Sequence, residues 1–198
     1  MRTLIIIPVL LFSLLLGAPS YSSDFYKGIS AYNNGDFITA LKEFNHLAEE
    51  GHALSQYYLG RIYFNGEGVP KDTLEGIKWY KLSAEKTGNS ILEYTLGEIY
   101  HLGIGVLYDD KEAVQWYKLS AEKGYHLAQF KLSTMFFSGS GVTKDLVSAH
   151  MWANIATLNN NENSRSFMKM LSDKMSVTQL EKAEELAHNC ITKNYKGC

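Results

Sequence analysis

Cysteine is nearly absent. Only Cys190 and Cys198 occur in 198 residues, both at the end of the chain. So few thiols exclude a fold stapled by many disulfides, and without a histidine cluster beside them they supply only half of a zinc site. No C-x-x-C pair exists to carry thiol redox chemistry. Proline is scarce too, at three residues, and the 16 glycines follow no collagen period. Neither sign of charge prevails: 19 basic residues stand against 21 acidic ones, a formal charge of −2. No basic field is available to hold a phosphate backbone, so nucleic acid is not the expected partner. The six histidines, His46, His52, His101, His126, His150 and His188, are scattered, and no H-E-x-x-H motif occurs. Glu184 and His188 lie one helical turn apart, which reads as a solvated pair, because two ligands are too few for a metal site. No metal and no cofactor are expected. Hydrophobic residues make up 45% and charged residues 20%, enough for a packed core in a chain of about one domain.

One long apolar run is present, at residues 4–16, with Arg2 the only charge before Asp24. Small residues follow: Gly17, Ala18, Ser20, Ser22 and Ser23. This is the charged, apolar and small-residue order of a secretory signal, with cleavage expected after Ser20 or Ser22. The run is shorter than the ~20 apolar residues of a membrane span, and no later segment is apolar enough to cross a bilayer. Residues 1–22 are therefore read as a signal peptide, and the remainder as exported, periplasmic or secreted, without stable membrane insertion. In an oxidising compartment an even pair of cysteines reads as a disulfide, Cys190 to Cys198, tying the last residues to the preceding helix.

The chain repeats itself. Trp79-Tyr80-Lys81-Leu82-Ser83-Ala84-Glu85-Lys86 recurs 37 residues later as Trp116-Tyr117-Lys118-Leu119-Ser120-Ala121-Glu122-Lys123. Leu59-Gly60 returns as Leu96-Gly97 and then as Leu132-Ser133. Gly66 and Gly68 return as Gly103 and Gly105, then as Gly139 and Gly141. Asp36, Asp72, Asp109 and Asp145 fall 36, 37 and 36 apart, each followed four residues on by a small residue: Ala40, Gly76, Ala113, Ala149. A period of this length marks a stack of supersecondary units.

Each unit reads as two helices. The first helices are expected at about 53–64, 90–101 and 126–137, where Leu59, Ile62 and Tyr63 have the i, i+3, i+4 spacing of a buried stripe. A glycine turn ends each one. Asp72, Asp109 and Asp145 then fit N-caps for the second helices.

These residues resemble the Sel1-like repeat family, cousins of the tetratricopeptide repeat. Ala53, Gln56, Leu59, Gly60, Tyr63, Gly66, Gly68, Val69, Asp72, Trp79, Tyr80, Ala84 and Gly88 carry the resemblance in one unit. The first unit departs from the pattern, with the short turn Asn33-Asn34-Gly35-Asp36, and the fourth replaces Trp-Tyr with Trp152-Ala153. Such drift suits capping units. The expected fold is all-α: an α/α superhelix of about four helix-turn-helix repeats over residues 24–158, with a C-terminal helical cap over 159–198. In the cap a short helix is expected at 165–174. Ser176 and Gln179 form a capping box for a further helix to about Ile191, with Leu180, Ala183, Leu186, Ala187 and Cys190 on its apolar side.

No catalytic constellation stands out. Ser-x-x-Lys, the serine-activating motif of penicillin-recognising enzymes, occurs at Ser83 and Lys86, at Ser120 and Lys123, and at Ser166 and Lys169. The first two are copies of one repeat position, and the enzymes' Ser-Asp-Asn and Lys-Thr-Gly motifs are missing. The Gly-x-Gly turns do not follow strands, so they are repeat turns and not nucleotide loops.

What remains is surface. Resemblance to tetratricopeptide proteins implies a concave groove lined by the first helices, with rungs at Leu54, Tyr57, Arg61 and Phe64, then Ile91, Tyr94, Glu98 and His101, then Leu127, Phe130, Thr134 and Phe137. Phe25, Ile29 and Tyr32 extend it. Tyr57, Arg61, Phe64, Tyr94, Glu98, His101, Phe130, Thr134 and Phe137 are the candidate contact residues. The column Arg61, Glu98, Thr134 changes its chemistry from unit to unit and is freer to serve a partner, whereas Tyr57, Tyr94 and Phe130 repeat, which suits packing at least as well. The expected function is a non-enzymatic adaptor, a monomer that binds a protein or peptide in the groove. The alternatives are a peptidoglycan-fragment binder or regulator of a cell-wall enzyme and, last, a penicillin-recognising hydrolase.

Overall fold

A computed structural model describes residues 21–198 of the chain, which form ten helices and no strand. The expected signal peptide lies outside the described residues, except that Tyr21 and Ser22 open the first helix. Four helix pairs follow one another: α1 (Tyr21–Asn33) with α2 (Phe37–Glu49), α3 (Ala53–Asn65) with α4 (Thr73–Thr87), α5 (Ser90–Leu102) with α6 (Asp110–Ala121), and α7 (His126–Ser138) with α8 (Leu146–Leu158). Within a pair the two helices pack most closely, and each second helix packs on the first helix of the next pair. The result is the expected α/α superhelix.

The repeated aspartates start the second helices. Asp36, Asp72, Asp109 and Asp145 accept hydrogen bonds from the backbone N–H groups of Thr39 (3.1 Å), Glu75 (3.0 Å), Glu112 (3.0 Å) and Val147 (2.9 Å). Each satisfies a donor that the helix itself cannot pair. Gly66, Gly103 and Gly139 close the first helices at φ 76°, 65° and 81°, a region that favours glycine.

Packing inside the first three pairs rests on a glycine under a ring. A side chain at Gly28 would meet the Phe44 ring at 2.6 Å, and one at Gly97 would meet the Tyr117 ring at 2.5 Å; Gly60 lies in the same way under Tyr80. In the fourth pair the bulk is exchanged. Ser133 replaces the glycine, Ala153 replaces the ring, and the Ser133 hydroxyl donates to the Ala149 carbonyl at 2.6 Å. The first unit, for all its divergent turn, keeps the aspartate cap, the small Ala40 and the ring Phe44, all in register. Neighbouring units also abut through their turns: a side chain at Gly68, Gly105 or Gly141 would run into Phe37, Thr73 or Asp110 of the preceding unit.

The cap consists of α9 (Glu162–Ser172) and α10 (Val177–Thr192). The shorter helix starts three residues earlier than 165–174 because the Asn161 side chain caps it, accepting from the Ser164 N–H at 3.1 Å. The capping box at Ser176 and Gln179 is formed. Both helices lie against α8. α9 brings Leu171, Phe167 and Met168 to Ala149 and Ala153, and α10 brings Ala187 and Cys190 to the Trp152 and Ile155 cluster. Cys190 and Cys198 are disulfide-bonded, with Cα atoms 5.6 Å apart. Tyr195 donates to Asn159 at 3.2 Å, and Asn159 to the buried Gln129 at 2.9 Å, so the last turn is also held by a polar chain.

Candidate functional site

The first helices α3, α5 and α7 present one residue of each column per rung, at the i, i+3, i+7 spacing that keeps side chains on one face. All nine candidate contact residues lie on this face and all are half-buried. Half-burial leaves each side chain an exposed edge, but their neighbours differ.

The first rung is open. Leu54 and Tyr57, with Ile91 of the second rung, line a cleft of about 310 Å³ together with Tyr80, Ser83 and Thr87. Leu54 and Ile91 are 50% and 59% exposed. One turn along, the Arg61 guanidinium lies 5.2 Å above the Tyr32 ring. Phe64 lies 5.8 Å from the Tyr80 ring, and the Lys71 ammonium 5.9 Å over Phe64. The Tyr32 hydroxyl donates to Glu67 at 2.5 Å. Burial and that carboxylate push the Tyr32 phenol up to about 12.

The second rung is knitted together. Glu98 accepts from the Tyr117 hydroxyl and pairs with Lys131 at 2.9 Å. Burial and the Glu98 carboxylate push Tyr94 up to about 12, and burial with the Glu98 hydrogen bond raises Tyr117 as well. These phenols stay protonated near neutral pH, so none is a ready tyrosinate nucleophile. His101 Nδ1 lies 2.6 Å from the nearly buried Asp110, which also accepts from Tyr108. By repeat register His101 stands where Phe64 and Phe137 stand in the other units, and Tyr108 stands where Lys71 and Lys144 stand. The middle rung thus replaces a cation-over-ring pair with a hydrogen-bonded histidine, aspartate and tyrosine.

The third rung is covered by the chain itself. Phe167 of α9 meets Phe130 and Phe137 edge-on, with ring centroids 5.7 and 5.5 Å apart. Thr134 donates to the Lys131 carbonyl at 2.7 Å. Phe130 and Phe137 are therefore engaged by the cap, which the repeat spacing gave no means to foresee. Lys131, Lys71, Tyr108 and Asp110 were missed as members of the face. Comparing each with its counterparts one period away is the signal that finds them.

The serine-lysine motifs have structural work. The Ser83 hydroxyl donates to the Ala53 carbonyl at 2.8 Å and Ser120 to the Ser90 carbonyl at 2.6 Å, each joining the end of a second helix to the start of its partner. Lys86 donates to the Gly51 carbonyl and Lys123 pairs with Glu93, so neither lysine faces its serine as a base. Among the described residues no group of three or more His, Cys, Asp or Glu could hold a metal ion, and no helix is long and apolar enough to cross a membrane.

The Sel1 repeat profile matches residues 53–87, 93–125 and 126–161, just over half of the chain. An exopolysaccharide production negative regulator of Rhizobium leguminosarum bv. viciae is 36% identical over 64 residues, 32% of this chain and 24% of that protein. Its namesake from Rhizobium meliloti (strain 1021) is 36% identical over 59 residues, 30% of this chain and 22% of that protein. The chain thus spans about a quarter of the length of the curated relatives it matches. Among solved structures, a Sel1 repeat protein from Oxalobacter formigenes superposes with a TM-score of 0.57 at 32% identity, covering 66% of this chain and 97% of that one. A protective antigen of uropathogenic Escherichia coli strains, displaying an SLR fold, gives a TM-score of 0.53 at 25% identity, covering 88% of this chain and 47% of that one. Such repeats typically mediate protein–protein interaction. The matched repeats, the repeated caps and glycine-under-ring contacts, and the shared architecture together place this chain in the Sel1 repeat family.

Proposed function

We propose that this protein is an exported, non-enzymatic adaptor of the bacterial envelope or secreted space, which docks a peptide or helix of a partner protein along the face of its first helices. The observation that carries the reading is the first rung. There Leu54 and Tyr57, with Ile91 of the next rung, leave an open apolar cleft one helical turn from a half-buried arginine, on a face whose polar column changes from unit to unit. Aromatic and arginine side chains in partly dry settings are the usual anchors of protein contacts. The apolar run at residues 4–16 supports export. The rhizobial relatives are named as negative regulators, a role that suits a repeat array acting on another protein.

The test is cross-linking and pull-down from the native host, comparing wild type with a variant carrying Tyr57→Ala, Arg61→Ala and Tyr94→Ala whose helicity is intact. A protein recovered with wild type and lost with the variant is the expected result. Equal recovery from both moves the contact surface elsewhere on the molecule. Binding to purified cell wall with no protein recovered replaces this reading with a glycan-binding one.

A further inference from the structure

On the charged column of the first-helix face, two of three rungs are already settled. Glu98 is neutralised by Lys131 at 2.9 Å and receives the Tyr117 hydroxyl, and Thr134 carries no charge. Arg61 differs: among the described residues it forms no ion pair and no hydrogen bond, only the contact with the Tyr32 ring at 5.2 Å. The one carboxylate whose charge reaches it, Glu67, is held by Tyr32 at 2.5 Å and by Asn65 at 3.0 Å. Lys71, over Phe64, is likewise without an ion pair. Glu67 is thus engaged by neutral donors and salt-bridges neither cation, so a chain with more acidic than basic residues leaves two cations on one rung without a direct ion pair. Arg61 is half-buried, where an unpaired guanidinium has partly lost its water and gains most from a carboxylate. Tyr57, at the mouth of the apolar cleft, is one helical turn, or about 6 Å, from Arg61.

We infer that the first rung recognises an acidic side chain of a partner peptide at Arg61, with an aliphatic side chain of the same peptide seated between Leu54, Tyr57 and Ile91. This inference rests on the adaptor reading and specifies it. In an extended peptide, side chains two residues apart share a face and are separated by about 6.6 Å, so the recognised pattern is Asp or Glu two residues from Leu, Ile or Val. The neighbouring Lys71 adds long-range attraction, which salt screens.

The experiment is selection of random displayed dodecapeptides on the purified protein, in parallel with Arg61→Glu and Lys71→Glu. Wild type is expected to enrich peptides with the acidic and aliphatic pair. A synthetic peptide from that pool should bind at least tenfold more weakly to Arg61→Gln, and more weakly as salt is raised. Arg61→Glu is expected to select Lys or Arg at the acidic position. Enriched peptides without an acidic preference, or the same consensus from wild type and Arg61→Glu, overturn the inference while leaving groove docking intact. No enrichment from any variant counts against both. Should Arg61→Glu prove unfolded, the exposed Lys71→Glu decides: unchanged selection and unchanged salt dependence reject the cationic rung.

Discussion

At the scale of single residues, the informative positions are those that break the repeat. Gln56 and Gln129 each donate at 3.1 Å to a backbone carbonyl, of Ala48 and Ala121, yet the residue between them in register is Glu93. Burial raises the Glu93 pKa, and Lys123 opposes the rise by pairing with it. His150 breaks another column, occupied by Leu41, Ile77 and Val114 in the other units. It is buried between α8 and the cap, with Nε2 3.1 Å from the Ser172 hydroxyl and Nδ1 without a partner. Burial lowers its pKa, and Glu184 on α10 only partly opposes this. The unfolded chain therefore takes up a proton near the ordinary value of 6.5 while the folded chain does not. Stability falls as pH drops below that value, by up to about 1.4 kcal/mol per unit until the folded site also titrates. His150→Val should keep stability at pH 7.5 within about 1 kcal/mol of wild type and remove that slope. Urea midpoints at pH 7.5 and 5.5 check it; parallel losses in the two proteins would assign the acid sensitivity elsewhere. The columns themselves were plain from spacing. That one member sits under a cap helix was not, because the cap has no period.

At the scale of helices, the first helices of the second, third and fourth units were legible to within a residue, and the second helices by their caps. Aspartate caps and glycine stops are local chemistry, and the 36- or 37-residue period repeats each signal. The start of α9 was misplaced because its cap, Asn161, sits in a run of three asparagines, any of which could cap a helix. What spacing could not give was the reason for Leu-Gly. The structure supplies it: Gly97 lies under the fully buried ring of Tyr117, whose hydroxyl is anchored on Glu98 and has no room to retreat. Gly97→Ser should therefore cost at least about 2 kcal/mol by overpacking. The fourth unit accepts serine at the same position because Ala153 replaces the ring. Thermal melts of Gly97→Ser against Gly97→Ser with Tyr117→Ala give the check: the double variant should lose less than the sum of the two single losses. Strict additivity would deny the contact.

At the scale of the whole molecule, stability is built from neighbours along a line, so an end can loosen without the rest. The Cys190–Cys198 bridge closes a short loop, for which chain entropy allows about 2–3 kcal/mol. Reduction should raise amide exchange in α10 and residues 193–198 while leaving α1 to α4 unchanged. Uniform loss of protection from end to end would show instead that the array melts as one unit. The candidate face was likewise only partly legible. Its columns follow from periodicity, but which rungs are free depends on contacts between distant segments, such as Lys131 with Glu98 and Phe167 with Phe137.

The placement of Phe167 has a consequence for any occupant. A channel open at both ends lets a strand pass through and measures nothing. Here α9 stands against the α7 end of the face through Phe167, so on the adaptor reading a segment lying along the face would stop before α7. The protein would then act as a gauge, accepting a stretch two rungs long and turning the remainder of its partner outward into solvent. Trimming Phe167 to alanine would lengthen the gauge by one rung.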